Sequence, residues 1–302
     1  MNTIPPYLKP GDTIGLVAPA GFMPFEKMQN CVETLQNWGY NLSFGSTTHS
    51  QSENYFSGTD EERLADLQQM LDNKNIKAIL CARGGYGLSR IIDKVNFKKF
   101  KKRPKWIIGF SDITVLHSHI FSKYKIASLH APMAAAFNDD GFNSPSVQSL
   151  KTALEGLPSE YEFPGHNYNK QGKASGQLVG GNLCLLAHLV GTKSDINTKN
   201  KILFLEDVGE YLYNIDRLFL QLKRSGKFEK LAGLIIGSIT DSKDTERPFG
   251  SSAVEIIYQQ IKDYDFPVCF DFPVSHGKEN YALKIGVKYR LDVSKEKVGL
   301  KE

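Results

Sequence analysis

Ser111 stands in Gly109-Phe110-Ser111-Asp112, where an apolar run from Lys105 to Ile108 gives way to a stretch that reads as a helix from Asp112 to Tyr124. A serine at a tight strand-to-helix turn exposes its hydroxyl, and the N–H groups of such a turn point outward at a helix N-terminus, where they stabilise a developing oxyanion. That is a nucleophile's position, and it is equally the position of an N-cap, for which serine is a preferred residue. The segment Arg83-Gly84-Gly85-Tyr86-Gly87 follows another buried run, and its glycines let backbone N–H groups approach a ligand closely. Its spacing fits neither a dinucleotide fingerprint nor a P-loop, which leaves an oxyanion-hole donor opposite Ser111 or a tight turn packing a helix on a strand. Glu206, Asp207 and Glu210 gather at the end of a third apolar run, and His276 lies between Ser275 and Gly277 in a loop. No histidine or cysteine sits at a ligand-like interval beside the acids, so they speak for metal binding less than for one carboxylate orienting a histidine and stabilising its imidazolium. Read separately, the acids are a solvated loop and the histidine a solvated side chain; together with Ser111 they make a possible Ser, Glu, His set.

These residues need elements to hold them. Thr13 to Ala18 is an apolar run closed by Pro19-Ala20-Gly21, the pattern of a parallel strand with its loop at the carboxyl end. A helix is predicted from Glu26 to about Trp38, ended by Gly39. Thr59-Asp-Glu-Glu62 is a capping box ahead of Leu64, Leu67 and Leu71, which share one helix face. A strand at Ala78 to Ala82, a helix through Leu88, Ile91, Ile92 and Val95, and the strand at Trp106 complete a strand, turn and helix series that argues for a doubly wound parallel sheet. Ligands of such sheets bind beyond the carboxyl ends of the strands, so the loops at Pro19, Gly84 and Ser111 converge. The second half carries Gly180-Gly-Asn182, a helix through Leu185 and Leu189, strands at 201–205, 234–237 and 267–273, and a hairpin from Ala282 to Asp292. His117 and His119, one residue apart on a helix, face different ways and argue against a shared metal, while His130 and His188 read as packing residues.

At 302 residues the chain is long for one core, and two α/β domains are favoured: 1–142, a linker over 143–175, and 176–302. A composition of 41% hydrophobic and 23% charged residues supplies a core, and a net charge of +4 is too mild to point to nucleic acid. The cluster Lys98 to Arg103 reads as a solvated loop. With no basic-then-apolar leader at the N-terminus and no run of membrane-spanning length, the expectation is a soluble cytoplasmic protein without membrane partners. Cys31, Cys81, Cys184 and Cys269 are scattered in mostly apolar surroundings, as reduced buried thiols are.

Taken in order, Gly11-Asp-Thr-Ile-Gly-Leu-Val-Ala-Pro-Ala20, Ala82-Arg-Gly-Gly-Tyr-Gly87, Ile108-Gly-Phe-Ser-Asp-Ile-Thr114, Gly180-Gly-Asn182, Leu205-Glu-Asp-Val-Gly-Glu210 and Pro273-Val-Ser-His276 resemble the LD-carboxypeptidases, serine peptidase family S66. The resemblance implies a Rossmann-like (flavodoxin-like) parallel-sheet N-terminal domain, a smaller C-terminal α/β domain, a site in the cleft between them and a homodimer. It implies Ser111 as nucleophile, His276 as general base and Glu206 as the residue that orients it, with the N–H groups of Asp112 and Gly85 as oxyanion hole. Arg83 is assigned to the substrate carboxylate, since a guanidinium suits bidentate pairing. No cofactor or metal is called for. The implied reaction is removal of the terminal D-alanine from murein tetrapeptide, at an L,D bond, in cell-wall recycling. An alternative is amide hydrolysis of peptidyl or aminoacyl nucleotides, as in the family's microcin C immunity branch; another, of a different class, is a small-molecule binding protein with Ser111 as a cap. The order Ser, acid, His also occurs in α/β-hydrolases, but their elbow has glycine where this chain has Ile113.

Overall fold

Strands buried on both faces of a parallel sheet need near-continuous apolar runs, and both halves of this chain have them. The computed structural model describes residues 2–138 and 141–302, and divides the chain into two compact units: Met1–Leu157 with Tyr281–Lys284, and Pro158–Asn280 with Ile285–Glu302. The first unit runs β1 (Thr13–Val17), α1 (Gln29–Asn37), β2 (Asn41–Phe44), α2 (Asp60–Asp72), β3 (Ile76–Cys81), α3 (Leu88–Ile91), α4 (Lys98–Lys102), β4 (Trp106–Gly109), α5 (Thr114–Tyr124), β5 (Ser128–His130) and α6 (Pro145–Leu154). The second runs β6 (Glu160–Pro164), β7 (Gly172–Asn182), α7 (Leu183–His188), β8 (Lys201–Val208), α8 (Leu212–Arg224), β9 (Gly233–Thr240), α9 (Ala253–Ile261) and β10 (Val268–Phe272). Then come β11 (Leu283–Ile285), β12 (Lys288–Val293) and β13 (Lys297–Lys301).

Among the described residues the first sheet has the order β2-β1-β3-β4-β5-β11, and its β1–β2, β1–β3, β3–β4 and β4–β5 pairs are parallel. β1, β3 and β4 lie buried almost throughout, so their carboxyl ends deliver the Pro19, Gly84 and Ser111 loops to one edge of the sheet. The second sheet, β10-β9-β8-β7-β12-β13-β6, is mixed: parallel from β10 to β7 and antiparallel from β7 to β6. Both units are therefore α/β. No helix among the described residues is long and apolar enough to cross a membrane.

Helix α2 does more than bury leucines. Its capping box is formed in both directions, at 3.2 Å to the Glu62 N–H and 2.8 Å to the Thr59 N–H. Its buried face carries Leu67 and Leu71 but also Arg63 and Asp66, while Leu64 is only half-buried. Buried charges need partners. Asp66 accepts from the Ser46 and Thr47 N–H groups at 3.1 and 3.0 Å, fixing the chain after β2. At the other end of α2, buried Lys105 donates to the carbonyls of Met70 and Asn73 at 3.0 and 2.6 Å, a cation on a helix C-terminus that also anchors the start of β4. Burial brings this ammonium down to about 8.

Three sequence expectations differ from the structure. The basic cluster after Asn96 is helix α4, not a loop, because Phe97 and Phe100 are buried edge to face, centroids 5.9 Å apart, with the lysines outside. The stretch 143–175 is not one linker: α6 belongs to the first unit, while β6 and the start of β7 belong to the second. The stretch 282–292 is not a hairpin, since β11 joins the first sheet and β12 the second, the chain bending at Gly286 with φ 86° and a bond from its N–H to Leu178 O at 2.7 Å.

Candidate active site

β4 ends at Gly109, which has φ 150° and leaves no room for a side chain, since a Cβ there would stand 2.9 Å from Ile113 Cγ1. The chain then passes through extended Phe110 into Ser111, whose φ of 61° is left-handed. A non-glycine residue held there carries roughly 1–3 kcal/mol of strain, which the surrounding contacts must offset. Those contacts are identifiable. His117 on α5 donates from Nε2 to the Gly109 carbonyl at 2.8 Å, with the tautomer assigned from that acceptor. Its ring is fully buried, and burial lowers it from 6.5 to about 4, so it stays neutral; the sequence reading gave it no role. The Asp112 carboxylate, also fully buried, accepts from the Leu88 N–H at 2.8 Å. Burial raises it to about 6, with that bond and Arg63 pulling the other way.

The glycine loop lies directly on this turn. A Cβ on Gly84 would be 2.7 Å from Ser111 Cβ and 2.9 Å from its Oγ, so only glycine fits. The Gly84 carbonyl accepts from the Gly21 N–H at 2.9 Å. In a trans peptide the N–H of the next residue points the opposite way, so the Gly85 N–H is directed away from Gly21. Gly85 has φ 93°, and Tyr55 Oη lies 2.8 Å from where its Cβ would be. Arg83 is exposed and donates from Nη1 to the Phe22 carbonyl at 2.5 Å. The structure thus brings Ser111, Asp112 and the glycine loop together in the first unit.

In the second unit, β8 and the segment after β10 bring two further residues together. His276 Nδ1 lies 2.6 Å from Glu206 Oε2, with Glu206 fully buried and the imidazole 16% exposed. An ionised carboxylate only accepts, which places the proton on Nδ1 and the lone pair on Nε2. Burial alone lowers the imidazole, but the hydrogen bond and charge of Glu206, with Asp207, outweigh it and raise it above 6.5. The other acids of the cluster are engaged elsewhere. Asp207 accepts from Asn182 Nδ2 at 2.7 Å and from the Cys184 N–H at 2.9 Å, and Glu210 takes the side-chain amide of Asn214. Asn182 also caps α7 through the Leu185 N–H at 3.1 Å, which explains the Gly180-Gly-Asn182 signal as a joint between β7, β8 and α7.

Two residues that pattern reading passed over seat the His276 loop. Gly237 on β9 faces the Val274 carbonyl and Glu206, and a Cβ there would stand 2.2 Å from that oxygen and 3.2 Å from Glu206 Cβ. Ser275 Oγ donates to Glu279 O at 2.8 Å and accepts from the Gly277 N–H at 2.9 Å, closing the loop around the histidine. Among the described residues no group of three or more His, Cys, Asp or Glu side chains is arranged to hold a metal ion.

Comparison with known proteins matches both units. The LD-carboxypeptidase N-terminal domain model covers residues 14–131, and the LD-carboxypeptidase C-terminal domain model covers residues 175–291. The chain is 34% identical to the probable murein peptide carboxypeptidase of Bacillus subtilis, over 98% of this chain and 93% of that one. It is 30% identical to the murein tetrapeptide carboxypeptidase of Pseudomonas aeruginosa, over 90% and 91%. The crystal structure of muramoyltetrapeptide carboxypeptidase from Oxalobacter formigenes matches with a TM-score of 0.85 at 26% identity, over 96% of this chain and 98% of that one.

Proposed function

We propose, from the premise that this chain belongs to the LD-carboxypeptidase family, that it is a serine hydrolase removing the terminal D-alanine of murein tetrapeptide by cleaving the L,D bond before it. The observation that carries the reading is the buried carboxylate on His276 Nδ1. Burying Glu206 is costly, and what it gains is an imidazole fixed in one tautomer with Nε2 as base. Ser111 Oγ attacks the scissile carbonyl and gives its proton to His276, while the oxyanion takes the N–H groups of Asp112 and Gly85. Collapse expels D-alanine, whose amine takes the proton from His276. Water, deprotonated by the same imidazole, then hydrolyses the acyl-enzyme and frees the tripeptide. Arg83 holds the terminal carboxylate by charge-assisted hydrogen bonds. No step calls on a metal or cofactor.

The order β2-β1-β3-β4-β5 with parallel pairs supports a flavodoxin-like Rossmann fold for the first unit. Its switch point, between β1 and β3, is where the Pro19 and Gly84 loops emerge. By family resemblance the protein is a cytoplasmic homodimer.

The test compares free-acid and C-terminally amidated tetrapeptide on wild type and Arg83→Ala, with fluorophosphonate labelling of Ser111. We expect labelling at Ser111, cleavage of the free acid, and a loss of tenfold to a hundredfold in kcat/KM on amidation, from charge-assisted bonds of about 1.5–3 kcal/mol. Arg83→Ala abolishes most of that discrimination. Equal cleavage of both forms by wild type moves the reading to amide hydrolysis of peptidyl nucleotides. An unlabelled serine moves it to a binding protein.

A further inference from the structure

One peptide unit of the glycine loop is held from both sides by buried charges. The Gly87 carbonyl accepts from Arg63 Nη1 at 3.2 Å, and the Leu88 N–H, on the other side of the same peptide bond, donates to Asp112 Oδ2 at 2.8 Å. The peptide dipole therefore runs between a cation at its oxygen and an anion at its hydrogen, the favourable sense at both ends. Arg63 and Asp112 are each 0% exposed. Arg63 Nη1 also donates to the Pro19 carbonyl at 2.8 Å and Nε to Gly58 O at 3.2 Å, while Nη2 pairs with Asp60 and the guanidinium lies 4.7 Å over the Phe56 ring. A Cβ on Gly87 would stand 2.7 Å from Nη1, so the loop backbone is seated against the guanidinium.

The tie has a direction. The loop touches Ser111 at Gly84 and is bonded to the residue after Ser111 at Leu88. Between these points lie Gly85 and Gly87, at φ 93° and 155°, backbone that relaxes into many conformations once released. We infer that the Asp112 side chain and Arg63 are positioning residues, which clamp the Gly87–Leu88 peptide so that the loop's N–H donors, that of Gly85 above all, are held in register with Ser111. The inference rests on the serine-hydrolase reading for its catalytic consequence but not for its structural one. Donors aimed at an oxyanion act when that oxyanion forms, so the clamp governs kcat and leaves KM nearly alone.

The experiment measures kcat and KM on the tetrapeptide, and amide hydrogen exchange over 83–88, in wild type, Asp112→Ala and Asp112→Asn. Asp112→Ala is expected to lower kcat on the order of a hundredfold, with KM within about threefold, and to speed exchange in 83–88 while β1, β3 and β4 keep wild-type protection. Asp112→Asn retains an oxygen for the Leu88 N–H and is expected to recover kcat to within about tenfold of wild type. Wild-type exchange in 83–88 of Asp112→Ala overturns the clamp, and so does an Asn variant as impaired as the Ala one. Should Asp112→Ala not fold, Arg63→Lys is read the same way, because an ammonium keeps the charge and lacks the fork that serves Pro19 and Gly87 together. If wild type neither cleaves the peptide nor labels at Ser111, the hydrolase reading fails, and the exchange of 83–88 still decides the clamp.

Discussion

Glu206 decides what kind of group His276 is. Burial by itself depresses the imidazole, and the carboxylate reverses that. We therefore expect kcat/KM of wild type to fall on acidification through a midpoint above 6.5, and Glu206→Gln to move that midpoint below 6.5 while lowering the plateau, as a pH–rate series reads directly. An unmoved midpoint would mean that the titrating base is not His276. Sequence alone left three carboxylates for this place, and the family resemblance singled out one. The alternation of a strand sends Glu206 and Asp207 to opposite faces, but which face meets His276 depends on how the chain returns after β10, a crossing no local pattern encodes. The role of Asn182 as partner of Asp207 was hidden for the same reason, since the two lie on different strands.

The turn after β4 and the loop after β3 form one fitted pair of elements, and Gly84 is their point of contact. Its φ is not left-handed, so alanine there is opposed by space alone. We expect Gly84→Ala to lower kcat at least tenfold and stability by about 1–3 kcal/mol, the usual cost of overpacking. Gly299→Ala on β13, where a Cβ meets nothing within 4 Å, serves as the control and leaves both unchanged. Urea melts and turnover of the two variants check this, and an active, stable Gly84→Ala would sink it. The parallel strands were legible because burial on both faces leaves a run of apolar residues. Helix α2 was legible in its cap and leucines, but not in Arg63 and Asp66, because a buried charge breaks the pattern that reveals a face, and the loop atoms these two bond at Ser46, Thr47, Pro19 and Gly87 are distant in sequence. The false hairpin at 282–292 has a similar origin: strand character shows in the residues, whereas membership of one sheet or another does not.

At the scale of the whole molecule, buried titrating groups pull stability in opposite directions. His117 is depressed by burial from 6.5 to about 4, so the unfolded chain takes up a proton in that interval that the native state refuses. Its contribution is present above 6.5 and lost as pH falls to about 4, roughly 3 kcal/mol in all. Asp112 and Asp207 are raised by burial from 3.8 to about 6, and their contribution is present below 3.8 and lost as pH rises through about 6. The urea midpoint of His117→Gln relative to that of wild type is therefore expected to rise as the pH is lowered from 7 to 4.5; parallel profiles would show that the imidazole is not buried neutral. The return of Tyr281–Lys284 to the first unit bears on how the protein is born. β11 lies beside β5, Ala282 N–H bonds Ser149 Oγ at 2.8 Å, and Lys284 Nζ reaches Leu157 O at 3.0 Å. A nascent chain that has just left residue 157 behind holds a sheet whose last neighbour has not been made, with the open edge of β5 available to any passing strand. At roughly 5–20 residues per second the intervening second unit takes on the order of ten seconds to emerge. For that interval the half of the protein carrying the serine must be shielded or wait, and a gene split at the apparent boundary would leave it waiting permanently.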